Sequence, residues 1–271
     1  MSNHWGYGKK NGPSRWTKYA PAAKGKRQSP VNIITKKCSY DPRLNNSIFT
    51  FDYTSSDAVA VFNNGHSVQV ELSESATSSF SGGPAEDRTY NLKQFHFHWG
   101  SKDGVGSEHK VNGKSYSAEL HLVHWNSKYD SFEDALQEED GLMVLTMFIN
   151  IGDEHEEISK LTNLFENITF PDDKEILPDG FDFNKLLPEN TDEYWTYKGS
   201  LTTPPCLEVV QFVIFKEPIE ISSDQIEAFR SLKSSPANRE TDDPSSNDNK
   251  LVDNYRPVMP LGNRVIYASF Q

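Results

Sequence analysis

Apolar and polar residues alternate in short runs along most of the chain, with turn-forming residues between the runs. That pattern reads as β-strands. Val59-Ala60-Val61-Phe62 leads into Asn63-Asn64-Gly65, a tight-turn signal, and residues 66–72 alternate on the far side as the returning strand of a hairpin. Further strands are predicted over 94–99, 119–125 and 208–215. Residues 141–149 are a continuous apolar run, suited to a strand buried on both faces. Helical periodicity is confined to 154–165 and 223–232, the latter with a Ser-Ser-Asp start. No repeat and no Pro/Ser-rich linker divides the chain. The expectation is one mainly β domain over 1–271, with short peripheral helices and a polar surface loop near 234–249.

Composition narrows the class. The 271 residues include 16 Phe, 11 Tyr and 5 Trp, enough aromatic volume to exclude a disordered chain. Asp and Glu (39) outnumber Lys and Arg (27), giving a net charge of −12. The longest basic cluster is Lys24-Gly25-Lys26-Arg27, so the basic face that a nucleic-acid binder needs is missing. Mean hydropathy is −0.66. No stretch reaches the roughly 18 apolar residues of a membrane span. Residues 1–6 show no signal-peptide pattern, and two cysteines, Cys38 and Cys206, are too few for a disulfide scaffold. Both features lean towards the cytoplasm; a secreted protein without its signal peptide would look the same.

The chemistry concentrates in two predicted strands. In Gln94-Phe95-His96-Phe97-His98-Trp99, alternation puts the aromatic residues on one face and Gln94, His96 and His98 on the other. Two imidazoles about 7 Å apart at the backbone can lean onto one metal. Alone, a His-x-His pair is more often an ordinary polar face. The second strand changes the balance: it places Glu119, His121 and Val123 on one face, and Leu120, Leu122 and His124 on the other. Paired antiparallel to the first, it adds His121 as a third imidazole, with Glu119 suited to holding a ring N–H. Three neutral imidazoles without a thiolate suit Zn²⁺ better than Ca²⁺ or Mg²⁺, and leave a fourth tetrahedral position free. His124 reads as a structural histidine in the opposite wall.

Here the sequence resembles the α-class carbonic anhydrases over nearly its whole length. The matching words are His4-Trp5-Gly6-Tyr7, Arg27-Gln28-Ser29-Pro30-Val31-Asn32-Ile33, Asn64-Gly65-His66, Gln94 to Gly100, Gly106-Ser107-Glu108-His109, Ala118 to Trp125, Gly199-Ser200-Leu201-Thr202-Thr203-Pro204-Pro205 and Asn254-Tyr255-Arg256-Pro257. The resemblance implies a twisted, mostly antiparallel sheet of about ten strands (the α-carbonic anhydrase fold), with zinc on His96, His98 and His121 at the bottom of a conical cleft. It implies reversible hydration of CO₂ to bicarbonate and a proton, with weak esterase activity as a side reaction.

The family pattern also assigns roles. Thr202, donating its hydroxyl proton to Glu108, would aim the hydroxide, and Val123, Val144 and Leu201 would line an apolar CO₂ pocket, with Thr203 beside them. Phe212 stands where the family usually has tryptophan at the back wall. Gln69 and Gln94 would form the polar side, met by sulfonamide and anion inhibitors. His66 matches the proton-shuttle position, with Tyr7 and Asn64 ordering waters; His155 and His4 are the alternatives. Ser29–Pro30 and Pro204–Pro205 are expected to be cis, and Cys206 is expected to lack the disulfide partner of extracellular relatives. A monomer is expected. The rival readings are a catalytically silent carbonic-anhydrase-related binding protein, or an acidic mineral-matrix protein. Silent relatives lose a zinc histidine, and this chain has all three.

Overall fold

The computed structural model describes residues 5–236 and 249–271. His4 and most of the expected loop at 234–249 lie outside the described residues. Among those described, thirteen strands form the main sheet. Ten of them lie edge to edge in the order Lys174–Ile176, Ala58–Asn63, Val68–Leu72, Tyr90–Trp99, Ala118–Asn126, Leu142–Ile151, Val210–Phe215, Tyr194–Gly199, Tyr267–Ala268 and Ser39–Tyr40. Neighbours on this path run antiparallel at every junction but two, Leu142–Ile151 against Val210–Phe215 and Tyr267–Ala268 against Ser39–Tyr40. The expected mainly β architecture is therefore present, in a mixed sheet.

Alternation decides which side of the sheet each residue serves. Phe95, Phe97, Trp99, Leu120 and Leu122 enter the larger core. Val123, Val144 and Phe212, from three adjacent strands, enter a second apolar cluster on the opposite face. The apolar run lies in the middle: in Leu142–Ile151 the first eight residues are buried, as a strand covered on both faces requires.

Two elements differ from the sequence pattern. The returning hairpin strand starts at Val68 instead of residue 66. Asn64 Oδ1 accepts from the amides of His66 (2.9 Å) and Ser67 (2.7 Å), while Gly65 sits at φ +78°, so the turn absorbs both residues. The helix expected at 154–165 is a seven-residue α-helix, Glu156–Thr162, followed by a 3-10 turn at Phe165–Ile168. Thr162 and Asn163 are weak helix formers, and the helix ends between them. The other helix, Ser223–Ser231, starts on a complete capping box in which Ser222 and Gln225 satisfy each other's amides.

His124 faces the larger core, as alternation requires. Its ring is fully buried: Nδ1 donates to the Leu122 carbonyl (3.0 Å), and Nε2 meets the Tyr53 hydroxyl (2.9 Å). A carbonyl only accepts, so the proton is on Nδ1 and Nε2 accepts. Burial pushes the ring's pKa down to about 3. In the unfolded chain an imidazole titrates near 6.5. Between those values the unfolded state binds a proton that the folded state refuses, so this group's contribution to stability falls as pH drops below about 6.5. The slope reaches about 1.4 kcal/mol per pH unit. His124→Gln keeps a partner for Tyr53 and removes the titration. Urea unfolding of the two proteins at pH 6, 5 and 4 should show the variant losing stability less steeply; parallel slopes would contradict the assignment.

Candidate metal centre

The strand pair Tyr90–Trp99 and Ala118–Asn126 sets His96 directly opposite His121. His98 lies two residues along on the same face. The three ring centroids are 5.1, 5.3 and 4.8 Å apart. One nitrogen from each ring lies within 4.8 Å of the other two.

Hydrogen bonds fix which nitrogen faces inward. His96 Nδ1 donates to Gln94 Oε1 (3.0 Å), His98 Nδ1 to the Asn254 carbonyl (2.8 Å) and His121 Nε2 to Glu119 Oε1 (2.6 Å). Each ring spends its one proton outward, so His96 Nε2, His98 Nε2 and His121 Nδ1 turn lone pairs towards each other. Burial, reinforced by the neighbouring imidazoles, holds His96 well below the usual histidine range, and burial lowers His98 as well. His98 Nε2 is buried with no hydrogen-bond partner. Three converging ring nitrogens, each ring anchored outward through its other nitrogen, form a set able to bind a metal and of the kind zinc takes.

Glu119 is the hub behind this set. Its Oε1 accepts from His121 and from His109 Nδ1 (2.7 Å), and its Oε2 from the His109 amide (2.8 Å). Tyr197 OH then donates to His109 Nε2 (2.7 Å) and accepts from Ser29 Oγ (2.8 Å), which in turn accepts from the Ser200 amide (3.0 Å). Burial alone would raise the Glu119 carboxyl, but its interactions with the His109 and His121 ring N–H groups outweigh it and hold the group well below the carboxylate range. Burial keeps Tyr197 protonated far past neutral pH, so it remains a donor. His109, Glu119 and His121 also cluster as a possible ligand set. Direct hydrogen bonds at 2.6 and 2.7 Å occupy the atoms concerned, so they form a relay and not a second metal site.

Three residues with such roles escaped the sequence pattern. His109 and Tyr197 build the relay, and Asn254 binds His98 through its carbonyl, the Trp99 amide through Oδ1 (2.8 Å) and the His66 carbonyl through Nδ2 (2.9 Å). His109 and Asn254 stand inside family-like words, which was the only signal available for them.

Gln69 is the cross-strand partner of His96, and its Oε1 accepts from Asn64 Nδ2 (3.3 Å). His66 stacks on Trp5, with ring centroids 3.8 Å apart and an interplanar angle of 11°. Tyr7 meets Trp5 edge-on, and burial raises its phenol well above the usual range. Val123, Val144 and Phe212 are buried together with Leu201 packed against them. Phe212 meets the His121 and His109 rings edge-on and stacks on Tyr197. Thr202 is buried, and Thr203 follows it half-buried.

One expected contact is not formed. Glu108 Oε1 accepts from the Arg256 amide (2.8 Å), while Oε2 is buried 3.4 Å from His98 Nε2 with no hydrogen bond, so the hydrogen bond from Thr202 is absent here. Arg256 is held behind it by Gln28 Oε1 (2.9 Å) and the Ser29 carbonyl (2.8 Å). Both expected cis peptides are present, and Cys38 and Cys206 are unpaired.

A mostly antiparallel sheet that presents three converging imidazoles backed by a glutamate relay defines a protein with a histidine cluster able to bind a metal. The chain belongs to the eukaryotic-type carbonic anhydrase family, whose sequence model matches residues 11–270. It is 46% identical over 277 aligned positions to carbonic anhydrase 7 of Mus musculus and 44% to that of Homo sapiens. Identity to carbonic anhydrase 3 of Homo sapiens is 42% over 271 positions; all three alignments cover both chains completely. Membership makes it a carbonate dehydratase, a lyase acting on carbon dioxide and water.

The hub makes a direct prediction. In Glu119→Gln, an amide –NH₂ must face at least one of three N–H donors, which disturbs the orientation of His121. Zinc affinity should fall about 10–100-fold. Competition with a fluorescent chelator reads it, and an affinity within twofold of the unsubstituted protein would contradict the relay's role.

Proposed function

We propose that the chain is a catalytically active, zinc-dependent enzyme that hydrates CO₂ reversibly to bicarbonate and a proton, with His66 carrying the proton away. The observation that supports this best is the convergence of one ring nitrogen each from His96, His98 and His121, with each ring's other nitrogen bonded outward. Zinc held there supplies a Lewis acid that lowers the pKa of water from 15.7 to about 7, the value known for carbonic anhydrase, so that hydroxide is available at neutral pH. A silent binding protein has no need of three oriented lone pairs.

The chain's own residues do the rest. Thr202 has one proton to give, and the buried Oε2 of Glu108, which lies 3.4 Å from His98 Nε2 and accepts no hydrogen bond, is an acceptor for it. With that proton committed, the hydroxyl can only accept from the nucleophile, which turns a nucleophile lone pair towards the substrate. The Arg256 amide on Oε1 keeps the Glu108 carboxylate oriented. Val123, Val144, Leu201 and Phe212 offer CO₂ an apolar wall and keep water from competing, with Thr203 at its margin. Phe212 keeps that wall apolar while being smaller than the usual tryptophan. Gln94 and Gln69 form the polar side, where sulfonamides and small anions would bind. On the same reading, unpaired Cys38 and Cys206 suit a cytoplasmic, monomeric protein.

An acid of pKa near 7 releases its proton to bulk water at only about 10³ s⁻¹, given recombination near 10¹⁰ M⁻¹s⁻¹. Faster turnover needs a group titrating near neutrality, and imidazole is that group. His66 stands in the hairpin turn whose Asn64 contacts Gln69, next to His96. Tyr7 and Asn64 can order water between them.

Two variants test ligand and shuttle separately. His96→Ala leaves two imidazoles, and both zinc content and CO₂ hydration should collapse; full activity at one equivalent of zinc would refute the ligand assignment. His66→Ala should keep its zinc, while stopped-flow CO₂ hydration at low buffer falls towards about 10³–10⁴ s⁻¹. Tens of millimolar imidazole should restore much of the loss. An unchanged rate at low buffer would show that another group carries the proton.

A further inference from the structure

Thr146 is fully buried, and its Oγ1 has no hydrogen-bond partner among the protein atoms. An unsatisfied buried hydroxyl is costly, and native proteins rarely keep one. Its place on the sheet is informative. Thr146 is the direct cross-strand partner of His121 on one side and of Ile214 on the other. It therefore shares the metal-site face with Val144 and Phe148, whose partners there are Phe212 and Glu119. The His109 ring lies edge-on to Phe212, the partner of Val144 (centroids 4.8 Å apart), and to His121, the partner of Thr146 (6.3 Å).

The Glu119 carboxylate shows the matching gap. Two oxygens offer about four acceptor sites. Three are filled, two on Oε1 by His121 and His109 and one on Oε2 by the His109 amide. Thr146 and Glu119 are diagonal neighbours on one face, a relation that puts their Cα atoms about 7–8 Å apart. One water bridges polar atoms about 5–6 Å apart.

We propose that Thr146 holds a buried water that bridges its hydroxyl to Glu119 Oε2, making Thr146 a positioning residue for the zinc ligand His121. The water takes the Thr146 proton and gives one of its own to the carboxylate. That completes the acceptor valence of Glu119 and restrains the carboxylate plane, and with it the ring of His121. The structural part rests only on the buried hydroxyl and the open acceptor; the effect on metal rests on the zinc reading above.

The test is a high-resolution crystal structure of the zinc-loaded protein together with zinc affinities of Thr146→Val and Thr146→Ser, measured by chelator competition. The expected result is ordered density within hydrogen-bonding distance of both Thr146 Oγ1 and Glu119 Oε2. Zinc binding should weaken several-fold in the isosteric valine variant and recover in the serine variant, which keeps the hydroxyl. A packing role alone would predict the reverse order, because serine removes a methyl group and valine does not. No density at Oγ1, density that bonds Thr146 but not Glu119, or equal zinc affinity in T146V would overturn the proposal. If the unsubstituted protein bound no zinc, the metal reading would fail instead, while the density would still report on the water.

Discussion

Three imidazoles can share one cation only if each ring's single proton points away from it, and every such proton needs a buried acceptor. That constraint organises this protein. Gln94 answers it for His96, the Asn254 carbonyl for His98 and Glu119 for His121. Two of these acceptors are themselves held. Asn254 is tied to the Trp99 amide, and Glu119 to His109 and through it to Tyr197, Ser29 and Ser200. The metal centre is thus continuous with hydrogen bonds that join the central strands to the segments at 29–30 and 254–256.

The sheet makes the constraint satisfiable. A strand register has period two, so a slip of one residue would send His96, His98 and His121 into the larger core and bring Phe95, Phe97 and Leu120 to the triad's face. The opposing apolar clusters make that slip prohibitive. The same alternation that buries Phe97 and Leu122 on one side puts Val123, Val144 and Phe212 beside the triad on the other. One patterning rule therefore provides both stability and an apolar wall beside the three imidazoles.

What could be read from the sequence follows from distance along the chain. His96 and His98 declare themselves by their spacing of two, and Glu119 with His121 by the same rule in the next strand. The hairpin at 63–65 and the doubly buried strand were legible for equally local reasons. His109, Tyr197 and Asn254 were not, because their partners lie far away; the contact between His98 and Asn254 spans 156 residues. The expected Thr202–Glu108 bond came from family likeness. The structure gives one Glu108 oxygen to the Arg256 amide, a long-range partner that no local pattern announces. Thr146 hid for the opposite reason, since a threonine inside an apolar strand reads as an ordinary β-branched residue.

The central claim is that a single zinc ion on His96, His98 and His121 makes this chain a working CO₂ hydratase. Its most direct test is to strip the protein with a chelator, return zinc in substoichiometric steps and follow CO₂ hydration by stopped flow. The account predicts negligible activity in the stripped protein, a linear rise with added zinc and a plateau at one equivalent. Full activity in the stripped protein, or no activity at any zinc level in a correctly folded protein, would contradict it.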